Sequence, residues 1–460
     1  MTGGQSTIGS TVRPDLRLGQ PERERATRRE RAGSLSRREL AALGALVGLV
    51  VTGTAIAVAS ASTGNSFGLP RQNHNAVSWV VGPLAPLGGG LNPQRFTVLF
   101  VAMWCFYLIV LALADSVRAR WAIAGIGILT VMFTIAPPLF SRDVFNYIDY
   151  ARLGAIHHLN PYAHGPIAAH HDPIFPYVRW RHTPSVYGPL FTVISFAVAP
   201  LGLSGALWTL KGLTGAAALG CVALVWRCAK LVGVSPVAAA ILLGLNPVFL
   251  VLAVAGAHND VLALFMLMVA VTFVLGNRAV LGGAALVASI AIKATAGLVL
   301  PFMVVGSRRR WQVIAGAAAA GAVIGLVGFA LFGTALKESL NLAARHRDYY
   351  FDQSVPPHVA QLFGLNPRAG HVRLAAEVVG LIAIAGLLIW TAVRRDWLTG
   401  SGWANFAVLV TTTFMLAWYT IWVLPFAALT RDRRLRYAAL ALGSFVVASR
   451  LYQFGPLPHL

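Results

Sequence analysis

Acidic residues are scarce in this chain: 16 Asp and Glu stand against 37 Lys and Arg, and charged residues of both signs make up only 12% of it. A chain so poor in charge does not read as an ordinary soluble domain. Lysine occurs only at Lys211, Lys230, Lys293 and Lys337, a skew that fits a GC-rich coding sequence rather than a mechanism. Cysteine is nearly missing too. Cys105, Cys221 and Cys228 fall inside apolar runs, which excludes a disulfide framework or a CxxC metal site and leaves them as small packing residues. GxGxxG, P-loop and GxSxG motifs are lacking in any usable context, so nothing points to a dinucleotide, a nucleoside triphosphate or a serine hydrolase.

What is abundant is apolar. Hydrophobic residues make up 57% of the 460, mean hydropathy is +0.68, and runs of about 20 apolar residues recur along the length, enough to cross roughly 30 Å of hydrocarbon as helices. The expected fold is an all-α, polytopic integral membrane protein with about 11 to 13 transmembrane helices. A net charge of +21 could suggest nucleic acid, but the arginines sit in short clusters between apolar runs, as in cytoplasmic loops under the positive-inside rule. No nucleic-acid partner is expected.

Residues 1–38 are polar, Arg-rich and mixed in sign, and read as a disordered basic cytoplasmic tail. The apolar run that follows lacks a small-residue cleavage site and reads as a first span, not a signal peptide. With the N-terminus cytoplasmic, a plasma-membrane domain over 39–460 presents outer loops at about 62–95, 141–187 and 334–373. The stretch 188–229 reads as helices around Gly202 and Lys211 that make an odd number of crossings, since Arg227 and Lys230 follow it. Two pairs of short apolar arms meet at AIKATAGLVLP and AWYTIWVLP; each arm is short for a full span, which suggests broken helices lining a cavity. On this topology the outer side holds only Asp143, Asp149, Asp172, Asp260, Glu338, Asp348 and Asp352 among the acids.

Asp143 stands out among these. It follows Pro137-Pro138 at a predicted outer boundary beside Arg142, where partial desolvation would raise a carboxylate toward the working range of a general base for a sugar hydroxyl. Asp149 reads as an exposed helix terminus or a support. Lys293 lies inside VASIAIKATAGLVLP, where an unpaired ammonium calls for an anion such as a phosphate, unless it merely snorkels to the interface. In GAHND, His258 and Asn259 would face the same cavity, and Asp260 would either join them or cap the helix. ARHRDYYFDQ supplies Arg345 and Arg347 as a phosphate clamp, or else an interfacial aromatic belt. Six histidines between 157 and 182 surround Asp172, but no ligand spacing fixes a metal geometry, so no metal or other cofactor is expected.

Taken in order, SRDVFNYIDYARLGAIHHLNPY, TPSVYGPLF, GAHND, AIKATAGLVLPF and AWYTIWVLPF resemble the actinobacterial polyprenol-phosphate-mannose-dependent α-1,6-mannosyltransferases of the GT-C superfamily. The resemblance covers roughly 135–430. It implies a GT-C-like multi-span fold whose outer-face loops form the active site, a polyprenyl-phosphate mannose donor in place of a nucleotide sugar, and a glycolipid or glycan acceptor. The early-loop acid of the family falls on Asp143, its NPY and YGP elements on Asn160-Pro161-Tyr162 and Tyr187-Gly188-Pro189, its HND element on His258, Asn259 and Asp260, and its apical lysine on Lys293. Many members carry two adjacent early-loop acids, whereas here Arg142 precedes Asp143, which weakens the case for a bound metal and leaves a single base.

The expected reaction is therefore an inverting mannosyl transfer with Asp143 as base. Lys293, Arg345, Arg347, Arg142 and His258 would hold the donor phosphate, and Tyr187, Asn160, Tyr162, Asn259, Asp260, Trp418 and Tyr419 the sugars. Two rivals remain at this point. One is the same fold using an arabinofuranosyl or glucosyl lipid donor; the other is a lipid or ion transporter, disfavoured because no repeat relates the two halves.

Overall fold

A computed structural model describes residues 35–62, 78–337, 350–351 and 353–454. Most of the tail read over 1–38 lies outside them, as do Arg345 and Arg347. Among the described residues every regular element is helical.

Helix α1 (Arg37–Ser60) opens with a reciprocal cap in which the Ser36 hydroxyl accepts from the Glu39 N–H and the Glu39 carboxylate accepts from the Ser36 N–H. It packs against α2 (Pro93–Ala112) and α3 (Ala119–Ile135). Helix α3 ends because Pro137 and Pro138 follow it and cannot continue the ladder. The chain turns through Phe140, held at φ 59°, into the short helix α4 (Asp143–Ala155). After the 156–188 loop come α5 (Pro189–Phe196), a break closed by Gly202 at φ 71°, and α6 (Gly202–Val232). The break expected near Gly202 is present, but α6 runs uninterrupted through Lys211. Together α5 and α6 form one stretch long and apolar enough for a single crossing, in keeping with the odd number expected.

Helix α7 (Pro236–Gly244) and a π-helical turn over Val248–Val254 meet at a bend of 47°. The bend falls at Asn246-Pro247, where the Asn246 carboxamide oxygen accepts from the Val248 and Phe249 N–H groups. Helices α8 (Asn259–Leu275), α9 (Ala279–Ile292), α10 (Val299–Gly306) and α11 (Arg310–Phe332) follow. Then come α12 (Val355–Leu362), α13 (Gly370–Arg394), α14 (Trp397–Thr411), α15 (Leu424–Leu429) and α16 (Arg433–Phe454). Both expected short-armed pairs are there. Helix α9 stops at Lys293 before a 3-10 turn over Ala294–Leu298 and α10, and α14 stops at Thr412 before a 3-10 turn over Ala417–Trp422 and α15.

Among the described residues, five helical stretches are long and apolar enough to cross a bilayer, or six if the bent pair is one span, and five shorter apolar stretches accompany them. The chain is a multi-pass, all-α membrane protein.

The two ends of the bundle differ. At one end arginines cap the orphan carbonyls of neighbouring helices, as the negative end of a helix dipole favours. Arg309 donates to the Asn277 carbonyl (2.7 Å), Arg395 to Val305 (2.8 Å) and Arg431 to Val232 (3.3 Å). Arg118, at the start of α3, pairs with Glu39 at 2.9 Å. Helices α3, α9 and α14 leave this end and arrive at the other, which carries Asp143, Lys293 and the Trp418 turn.

Helices α9 and α11 cross at two glycines. A Cβ on Gly283 would overlap the Val313 carbonyl, and one on Gly316 the Val280 carbonyl, so each backbone occupies the space its partner lacks. Overpacking costs about 1–3 kcal/mol. Gly283→Val is accordingly expected to lower the thermal midpoint in detergent, while Gly321→Ala, whose nearest neighbour would be Val287 at 4.0 Å, leaves it unchanged. Equal midpoints for the two variants would show that the crossing is not close packed.

Candidate functional site

The site is built where four interrupted segments meet. Asp143 is the first residue of α4, where the positive end of the helix dipole favours a carboxylate, and its N–H donates to the Ser141 hydroxyl at 3.1 Å. The His258 Nδ1 lies 3.5 Å from its Oδ2, and its side chain keeps 17% of its surface exposed. Burial by itself raises the Asp143 pKa, as expected from the sequence. The adjacent His258, the charge of Lys293 and a hydrogen bond from Trp180 outweigh it, and the carboxyl sits below its ordinary value. The expectation of a raised pKa is thus reversed, because the sequence alone does not show three partners converging on one carboxylate.

His258 occupies the cap position of α8, reached through Ala257 at φ 53°. It is fully buried, and its ring stacks on Trp418 with centroids 3.7 Å apart and planes 21° apart. Its Nε2, the Asn259 Nδ2 and the Trp418 Nε1 are buried with no hydrogen-bond partner among the described residues. Tyr147 binds the other side of Asn259, donating from its hydroxyl to Oδ1 at 3.2 Å.

Asp260 does not cap its helix by a side-chain bond. It reaches across to Lys293, whose Nζ donates to Oδ2 at 2.5 Å, while the Trp422 indole N–H donates to Oδ1 at 3.0 Å. The anion that Lys293 called for is therefore a carboxylate of the chain itself. The lysine head also lies 5.3 Å over the Tyr419 ring.

The YGP element explains how α5 approaches this place. A Cβ on Gly188 would collide with the Ala291 carbonyl, and the Gly188 N–H donates to the Ile292 carbonyl at 3.2 Å, just before Lys293. Pro189 then opens the helix at a position where no N–H is needed. The Tyr187 ring meets Tyr147 edge to face at 4.8 Å. Asn160 and Tyr162 act at a distance from Asp143. Asn160 donates to the Phe332 carbonyl (2.7 Å), and the Tyr162 hydroxyl bonds the Tyr187 carbonyl and Thr192, each at 2.8 Å. They latch the 156–188 loop to α5 and α11.

Sequence reasoning passed over Arg179 and Arg181. The Asn146 carboxamide oxygen accepts from the backbone N–H groups of Arg179 and Trp180 (3.3 and 3.4 Å) and so brings this turn to α4. Arg142 sits below its usual pKa, through partial burial and then through the nearby charges of Arg179 and Arg181. All three guanidinium groups belong to exposed residues, and among the described residues none is paired with a carboxylate. The available signal was the alternation of Arg and Trp in RWRHTPSVYGP. Asp172, central to the histidine-rich loop, is held by Arg152 (2.9 Å), His157 (2.7 Å) and the Ile174 N–H (3.0 Å), which ties that loop to α4. Among the described residues, no three His, Cys, Asp or Glu side chains gather into a metal-holding group.

A family profile described as "Alpha-(1->6)-mannopyranosyltransferase, N-terminal domain" matches residues 43–309. A second, described as "Glycosyltransferase family 87", matches residues 186–452. The chain is similar to Alpha-(1->6)-mannopyranosyltransferase A of Mycobacterium tuberculosis, 29% identical over 348 residues that cover 68% of this chain and 66% of the relative. It is also similar to the protein of the same name from Corynebacterium glutamicum, 29% identical over 184 residues, or 38% of this chain and 36% of the relative. The match spans less than two thirds of either relative's own length. No solved structure matches the chain.

Asp149, on another face of α4, is 2% exposed, and neither carboxyl oxygen has a hydrogen-bond partner among the described residues. Burial and then the charge of Asp172 push its pKa up from 3.8 to about 7. Between these two values the folded state holds a proton that the unfolded chain has lost, so stability falls as pH rises from about 4 to about 7 and levels off above. At about 1.4 kcal/mol per unit the ceiling is near 4 kcal/mol. Asp149→Asn, which removes the ionisation, is expected to raise the thermal midpoint at pH 8 and to gain less at pH 5; a gain independent of pH would contradict this.

Proposed function

Because the chain belongs to the alpha-(1->6)-mannopyranosyltransferase family, we propose that it transfers a mannosyl residue from a polyprenyl-phosphate mannose to a hydroxyl of a cell-envelope glycolipid or glycan. The bond formed is α-(1→6), the linkage in the names of its relatives. Residues 39–460 form the transferase domain, and 1–38 are a cytoplasmic tail.

The observation that carries the mechanism is the pairing of an ionised, part-exposed carboxylate with three arginines that have no carboxylate partner among the described residues. Asp143, held below its ordinary pKa, is in its proton-accepting form at neutral pH. It takes the proton of the acceptor hydroxyl as that oxygen bonds the anomeric carbon. The bond from that carbon to the phosphate oxygen breaks on the opposite face, its electron pair leaves with the lipid phosphate, and configuration inverts. Arg142, Arg179 and Arg181 offer guanidinium groups suited to a phosphate, with Arg345 and Arg347 as further candidates. The unpartnered His258 Nε2 faces the same event. Lys293, already bound to Asp260, holds the site together and adds positive field beside Asp143. Asn259 Nδ2 and Trp418 Nε1 are available to sugar hydroxyls, and Tyr187 and Tyr419 line the approach.

The arginine-capped end fits the cytoplasmic side under the positive-inside rule, which supports an outer-face position for Asp143. No nucleotide sugar reaches that face, and a lipid-linked donor does.

The test is transfer by purified protein in liposomes. Label is expected to move from polyprenyl-phosphate [14C]mannose and not from GDP-mannose; transfer from GDP-mannose in liposomes free of donor lipid would overturn the donor assignment, and faster transfer from an arabinofuranosyl or glucosyl lipid the sugar assignment. Asp143→Asn should fold normally and lose about 100-fold to 10,000-fold in kcat. A double substitution of Arg179 and Arg181 to Gln should act mainly through KM for the donor.

A further inference from the structure

Lys211 takes part in none of these steps. It lies in the interior of α6, fully buried, and no carboxylate partners it among the described residues. Its amino group donates to two backbone carbonyls, Ala255 at 2.9 Å and Phe133 at 3.2 Å. A lysine enclosed in a membrane bundle is expensive and marks a place where something specific is held.

What it holds are two helix exits. The Phe133 carbonyl belongs to the last turn of α3, and its intrahelical partner would be the N–H of residue 137, which is a proline and has none. That exit runs over Pro137-Pro138 to Asp143. The Ala255 carbonyl closes the π-helical turn, and the Gly256-Ala257 turn that follows delivers His258. The two exits are also joined directly, since the Leu139 N–H donates to the same Ala255 carbonyl at 3.4 Å. Both carbonyls lie at the negative ends of their helices, where a cationic side chain is favoured.

We infer that Lys211 is a positioning residue for the transfer site: by binding the last carbonyls of α3 and of the π-helical turn, it sets the separation between the segments that present Asp143 and His258. This rests on the roles proposed above for Asp143 and His258. Lys211 touches neither the donor nor the acceptor.

The experiment compares steady-state transfer and thermal melting for the wild type, Lys211→Met, His258→Ala, the double variant and Asp143→Asn. Lys211→Met keeps the side-chain length and loses the donor; it is expected to fold and to lose about tenfold to 100-fold in kcat, with the donor KM changed less than about threefold. In the His258→Ala background the same change should remove less than about threefold more, because the pair it positions is already gone. Equal losses in both backgrounds would mean a general structural role and overturn the inference, as would a Lys211→Met kcat within about twofold of wild type. If Lys211→Met does not accumulate folded protein, Lys211→Gln, a shorter donor, carries the same expectation in the same two backgrounds and is overturned by the same results. Full transfer by Asp143→Asn and His258→Ala would sink the parent reading, whereas loss in those variants with an unchanged Lys211 variant sinks only this inference.

Discussion

A helix that stops inside a bilayer bundle leaves backbone groups that water cannot reach, and each has to find a partner within the protein. This constraint organises the site end of the molecule. The exit of α3 is met by Lys211, the exit of the π-helical turn by Lys211 and the Leu139 N–H, and the exit of α9 by the Gly188 N–H. The exit of α14 is met by the Phe351 N–H, which donates to the Thr413 carbonyl at 2.9 Å, while the Ser354 hydroxyl accepts from Met415 N–H at 2.8 Å. Every one of these partners comes from another segment. Breaking the helices gives the site its irregular backbone, and repairing the breaks draws distant segments together around Asp143.

The charges divide along the same lines. Lys293 and Asp260 compensate each other and are closed off by Trp422 and Tyr419. Asp172 serves Arg152 and His157. Asp143 and the exposed arginines around it are left with capacity for something from outside. A site for an anionic leaving group needs this asymmetry, because a guanidinium already bound to a carboxylate has less to offer a phosphate.

Much of this was legible in the sequence, and the reasons are local. Short apolar arms around AIKATAGLVLP and AWYTIWVLP could not span as straight helices, and both pairs are broken as expected. The placement of Asp143 just past the end of a span was legible, and the all-helical membrane fold followed from hydropathy alone; that Asp143 opens a new helix was not. What escaped detection was long-range. The partner of Lys293 lies in another helix, and Asn160 and Tyr162 reach backbone atoms distant in the chain. The pKa of Asp143 is set by residues from three other segments. Lys211 read as a possible helix break because a lone lysine in an apolar run gives no hint of a proline-orphaned carbonyl elsewhere. The bend at Asn246-Pro247 was visible in principle, since proline removes an intrahelical donor.

The Lys293–Asp260 pair also bears on how the chain gets into the membrane. Asp260 begins α8 and Lys293 follows the end of α9, so the two charges meet only when both arms of that helical hairpin are side by side. Each helix entering alone would expose one unmatched charge to lipid or to the insertion machinery. The hairpin is thus the smallest unit in which these two charges are matched.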